Sequence, residues 1–152
     1  MKIVFEPVAI VKNTRTEPFD DHWATVISEI ELLEHIPVNV FENIEAFSHA
    51  EIIFYFHKIQ NEPVIFSGHP RENPDYPVVG IFAQRKKNRP NAIGLCTVEL
   101  LEHAGRKIIV KYLDAINGTP VLDIKPVIKE FEPKGIITQP EWADDLMKNY
   151  WT

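Results

Sequence analysis

Hydrophobic positions in this chain recur in short stretches, each closed by a turn signal. Ile3 to Val11 is apolar and β-branched, which predicts a first strand, and Asn13 to Asp21 is a polar, turn-forming break. Trp23 to Leu33 carries Val26, Ile27, Ile30 and Leu32 between polar residues and predicts a second strand. Phe41, Ile44 and Phe47 fall at helical spacing, so a short helix is expected over Pro37 to Ala46. Ala50 to Ile59 is the strongest strand signal. Ile52 to Phe56 runs without alternation, which predicts burial on both faces.

Beyond it, three prolines make His69 to Pro77 irregular, and Val78 to Phe82 reads as a short strand. Ile93 to Glu102 and Lys107 to Ala115 flank Ala104-Gly105 as a hairpin. Asn117-Gly118 is a second tight turn before Val121 to Ile124. Pro140 stands where a helix can begin, and Glu141 to Tyr150 continues as one. Many short strands separated by turns predict a mainly β protein. The expected fold is a single-domain antiparallel β-barrel with short helices, one of them C-terminal, whose core spans about residues 3 to 130 with a tail from 131 to 152. The alternating strand–helix rhythm and glycine-rich first turn of dinucleotide folds are missing.

Composition adds limits. With 152 residues, 45% hydrophobic and 11% aromatic, the chain is one globular domain's worth, and twelve prolines against six glycines suit rigid turns. The N-terminus meets Glu6 and Pro7 before any long apolar stretch, so neither a signal peptide nor a membrane span is expected, and the expected location is cytoplasmic. Cys96 stands alone, which excludes an internal disulfide, and its apolar neighbours suggest an inert buried thiol. The six histidines show no i, i+4 pair, so no metal site is expected.

Net charge is −6, against broad nucleic-acid binding, yet Arg85, Lys86, Lys87 and Arg89 crowd one segment. Two arginines there can grip carboxylate or phosphate, Pro90 stiffens the loop, and Asn91 offers both donor and acceptor. A charged connecting loop is the plainer reading. In Asp114 to Pro120 the Asp and Thr side chains can satisfy turn amides, as in an ordinary hairpin. Asp123 and Lys125, two apart on a strand, point the same way as a surface pair or a polar pair beside a site. His57 closes the most apolar strand, where an imidazole would be partly desolvated.

Taken together these segments resemble the TsaA-like (YaeB/TrmO) family. The resemblance is carried in order by Phe47-Ser48-His49, Phe56-His57, Gly80 to Arg85, Arg89-Pro90-Asn91-Ala92-Ile93-Gly94 and Asn117 to Pro126. Three positions depart from the family pattern. Asn13 to Pro18 stands in place of a Pro-Arg-Gln segment, Ala92 in place of a second proline, and Asn117 in place of an aspartate.

The resemblance implies a homodimeric β-barrel that binds S-adenosyl-L-methionine near its subunit interface. It further implies methylation of threonylcarbamoyl-adenosine at N6, beside the anticodon in the tRNA anticodon stem-loop. On this analogy Phe56, His57, Arg85, Leu95, Asp114, Ala115, Ile116 and Asn117 hold the cofactor. Asp114, Arg89 and Asn91 serve catalysis, and Lys86, Lys87, Arg89 and Lys125 contact substrate. A small-molecule methyltransferase, or a non-catalytic binding module on the same barrel, are the alternatives.

Overall fold

Alternation along each strand sends one set of side chains into a common interior, and six strands close around it. The computed structural model describes all of residues 1–152. Its strands are β1 (Ala9–Lys12), β2 (Ile27–Leu32), β3 (His49–Tyr55), β4 (Ser67–Gly68), β5 (Val79–Gly80), β6 (Ile93–Ala104), β7 (Lys107–Lys111) and β8 (Pro120–Pro126). A single α-helix, α1 (Glu141–Met147), follows. The barrel order is β1-β2-β7-β6-β3-β8, every pairing is antiparallel, and β1 closes the ring onto β8. The expected mainly β barrel is therefore what the chain forms. Closure leaves every barrel strand with a neighbour on both sides. No helix is long and apolar enough to cross a membrane.

The core is built from inward positions such as Val11, Ile30, Ile52, Phe54, Val98 and Val110, all 1% exposed or less. Each such side chain contributes about 1.5–3 kcal/mol through apolar burial. Gly94 sits opposite Phe54 in the β3–β6 register. A Cβ at Gly94 would lie 2.3 Å from the Phe54 ring, so the glycine makes room for that buried ring.

Several sequence expectations change. The first strand begins only at Ala9, which pairs with Leu32 and with Val121. Trp23 lies before β2 rather than in it, in a small cluster with Val26 and Ile116. Pro37 to Ala46 is two 3₁₀ turns, Val38–Phe41 and Ile44–Ala46, separated by Asn43 at φ 66°. A left-handed residue stops helical propagation there. β3 ends at Tyr55 and is buried on one face only. Ala50, Ile52 and Phe54 point inward, while Ile53 and Tyr55 are half-buried on the outer wall. The strand at Val78–Phe82 is reduced to Val79–Gly80 plus a 3₁₀ turn. β7 ends at Lys111, since Tyr112 turns to φ 65°.

That last change opens a seam. The β6–β7 ladder ends at Glu99–Lys111, so residues 93–98 of β6 pair only with β3. Across the seam the chain from Tyr112 to Gly118 crosses one end of the barrel to β8.

Candidate functional site

The seam end of the barrel collects most of the motif residues. Phe56 and His57 follow β3 there, with Phe56 N donating to Ala92 O at 2.9 Å. His57 Nε2 lies 3.9 Å from where a Gly118 Cβ would stand, which sets the imidazole beside the Asn117-Gly118 turn. Arg85 reaches the β6 backbone and donates from Nη2 to Leu95 O. Leu95 pairs with Ile53 and keeps 45% of its surface exposed. Ala115 and Ile116 are buried, and Asn117 accepts a bond from Asn13 N through Oδ1 at 3.1 Å. Arg85, His57 and the Asp114–Asn117 segment therefore share one rim.

Asp114 is the polar centre of this rim. Its Oδ2 accepts a 2.6 Å bond from the Tyr150 hydroxyl, while its Oδ1 is buried with no partner. A buried acceptor without a donor is costly, and such groups in folded proteins call for an explanation. Tyr112 sits in the left-handed region immediately before this segment. Such strain persists where surrounding packing enforces it, and it concentrates at functional sites.

Titration follows the same geometry. Cys96 Sγ lies 2.9 Å from Tyr112 O. Burial, then the Asp114 charge, pushes the thiol well above its ordinary range, so it stays protonated and inert. Burial and the neighbouring carboxylate likewise raise Tyr150 far above an ordinary tyrosine. Partial burial, helped by Lys58, lowers His57 below the usual histidine value. A neutral imidazole keeps one ring nitrogen as an acceptor.

The basic loop is less free than its sequence suggests. Arg89 Nη1 donates to Gln84 O at 2.8 Å and to Lys86 O at 3.4 Å, so this guanidinium braces its own loop. Lys86 is paired with Glu72 at 2.7 Å. Lys87 forms no ion pair. Asn91 is exposed beside Arg89 at a cleft of about 150 Å³ that also takes in Tyr55, Gln60 and Glu62. Lys125 is not brought to the rim. It pairs in register with Glu51 toward the opposite end of β3 and forms an exposed 3.0 Å ion pair with Asp123. Of the two readings of that pair, the surface one holds.

Two contributors carried no local motif. Arg15, in the loop that departs from the family pattern, donates to Phe19 O, Asp21 O and His22 O and stacks 4.2 Å from the Trp23 ring centroid. Tyr150 comes from the tail. Its partner Asp114 is distant in sequence, and only the aromatic pair Tyr150-Trp151 in a polar tail hinted at docking.

Comparison with known proteins agrees with this geometry. The family model for the tRNA-methyltransferase O N-terminal domain matches residues 10–133. A probable S-adenosyl-L-methionine-binding protein of Methanothermobacter thermautotrophicus is 32% identical over 141 residues, covering 89% of this chain and 97% of the relative. The human tRNA (adenine(37)-N6)-methyltransferase is 36% identical over 125 residues, 76% of this chain but only 26% of the human protein. A crystal structure of TrmO superposes with TM-score 0.75 at 26% identity, covering 94% of this chain and 65% of that one. The chain thus spans less than two thirds of that solved relative. A family model covering most of the barrel, and a relative matched over nearly its whole length, leave one assignment: this chain belongs to the tRNA-methyltransferase O (TrmO) family.

Proposed function

We propose that the protein is an S-adenosyl-L-methionine-dependent methyltransferase that modifies the N6 position of threonylcarbamoyl-adenosine in tRNA. The observation that carries this reading is the Asp114 carboxylate, one oxygen of which is buried and undonated on the rim that gathers Phe56, His57, Arg85 and Leu95. Such an oxygen suits a ligand that brings an N–H or O–H donor, and the cofactor carries several. When bound, S-adenosyl-L-methionine supplies an electrophilic methyl group on a sulfonium.

The remaining tasks fall to the chain. Asp114 and the Ala115–Asn117 backbone fix the cofactor's polar groups, and Phe56 offers an apolar wall. Methyl transfer is an in-line displacement, so alignment and exclusion of water supply much of the acceleration. The acceptor nitrogen must lose its proton, and His57, neutral by partial burial, can accept it. Arg89 acts by bracing the loop that presents Asn91 to the acceptor. Lys87, unpaired and on the same loop, is suited to a phosphate of the anticodon stem-loop.

A homodimer in the cytoplasm completes the reading. It is supported by large apolar side chains left open on the outside: Phe66 at 72%, Phe82 at 84% and Phe131 at 86% exposed. Apolar exposure on this scale marks association surfaces.

The test is label transfer from S-adenosyl-L-methionine to tRNA bearing threonylcarbamoyl-adenosine, with unmodified tRNA as control. Methylated nucleoside from the modified tRNA alone is expected. Cofactor binding without transfer to either tRNA would overturn the acceptor assignment, and no cofactor binding would overturn the whole reading.

A further inference from the structure

The tail that follows the barrel reaches back to the rim. Trp23 N donates to Tyr150 O at 2.9 Å and His22 N to Asn149 O at 3.1 Å, so the tail runs against the first loop through backbone bonds. Arg71 lies 6.0 Å from the Tyr150 ring centroid and is itself held by Asp21 at 2.8 Å. The ring packs on the Trp23, Val26 and Ile116 cluster and meets Trp151 edge-on at 4.9 Å. These contacts fix the ring from several sides and aim its hydroxyl at Asp114 Oδ2. Residues matched by the family model end at 133, so Asp114 lies inside the matched domain and Tyr150 outside it.

We propose that Tyr150 is a positioning residue, a tail-borne donor that occupies one oxygen of Asp114 and so presents the other to the bound ligand. The inference rests on the reading of the rim as a cofactor site. Its physical basis is that a carboxylate with one oxygen fixed by a short, charge-assisted bond has lost most of its rotational freedom. A ligand then binds without paying to orient it. The His22-Trp23 stretch and the tail act as one unit, since two backbone bonds join them.

The experiment compares Tyr150→Phe, Asp114→Asn, their combination and Tyr76→Phe by calorimetry with S-adenosyl-L-methionine. Tyr76 also donates to a tail carboxylate, Asp145, at 2.6 Å, and makes no bond to Asp114. Its variant therefore controls for tail docking alone. Tyr150→Phe keeps the ring, should weaken binding about tenfold, and should lower the melting temperature by a few degrees through the stranded Asp114 oxygen. It should have no further effect in the Asp114→Asn background, and Tyr76→Phe should bind as the parent does.

A second readout needs no ligand. Tyr150 faces Asp114, Cys96 and Asp20, and its phenol is held protonated to high pH. In ultraviolet titration Asp114→Asn should bring one tyrosine ionisation down. Unchanged affinity in Tyr150→Phe, or equal losses in Tyr150→Phe and Tyr76→Phe, would overturn the inference. Failure of the parent protein to bind at all would instead strike the cofactor reading, while the ultraviolet titration still tests the Tyr150–Asp114 pair.

Discussion

Restoring the family's proline at position 92 should damage this protein. Ala92 occupies the left-handed region at φ 50°, and proline is locked near −65°, a mismatch of about 115°. Ala92 N also donates to Arg89 O at 3.0 Å, a bond that proline cannot make and that is worth about 1 kcal/mol. Its carbonyl, which receives Phe56 N, would swing away with the loop. Ala92→Pro should therefore cost about 3 kcal/mol or more.

Ala92→Gly separates backbone strain from the bond. Relief of the left-handed penalty is offset by the freer unfolded chain, so it should stay within about 1 kcal/mol of the parent. Urea unfolding followed by circular dichroism gives both values. Thermal melts should place Ala92→Pro lower by about 2–4 °C for each kcal/mol. A proline variant as stable as the parent would show that Ala92 does not hold this backbone, and the account of the loop would fail.

Gly94→Ala should lose about 1–3 kcal/mol by overpacking against the Phe54 ring. Combining it with Phe54→Leu should recover part of that loss, and strict additivity in urea unfolding would count against the clash. Cys96 should resist alkylation in the native protein and react after unfolding, and Cys96→Ser should retain activity; rapid native labelling would contradict its raised pKa. His57 should titrate by NMR below the ordinary histidine value. Because its folded pKa is depressed, the unfolded chain binds protons first. Its contribution to stability is therefore full above the unfolded value and is lost as pH falls through it toward the folded one. A midpoint at or above the usual value would refute this.

The barrel was legible because turn chemistry at Ala104-Gly105 and Asn117-Gly118 and the β-branched runs between them agree on one architecture. What local pattern could not show were limits set by partners. Ile3, Val4 and Phe5 have strand composition but make no backbone hydrogen bond, and β1 starts at Ala9. The Ile52–Phe56 run looked doubly buried, yet a barrel has one inside, and Ile53 and Tyr55 lie on its outer wall. In the site, Arg85, His57 and Asp114 were readable as motif members, and the structure gathers them. The place of Lys125 was not readable, because alternation fixes the face of a strand but not which end of the barrel a residue occupies. Arg89 looked like a ligand contact because its carbonyl acceptors are backbone atoms, which no side-chain pattern reveals. Tyr150 was invisible because its partner Asp114 lies far away in the chain, and Arg15 because its acceptors are the backbone carbonyls of Phe19, Asp21 and His22.

The early end of β7 has a mechanical meaning. Along most of its circumference the barrel is a hoop of backbone bonds, which can yield only by unzipping. Between residues 93–98 of β6 and the Tyr112–Asp114 stretch the hoop is laced by a side chain instead, through Cys96 to Tyr112 O. Lacing can loosen one stitch at a time without unravelling the weave beside it. The wall is therefore held along this line by side-chain contact, while the rest of the circumference is held by strand ladders.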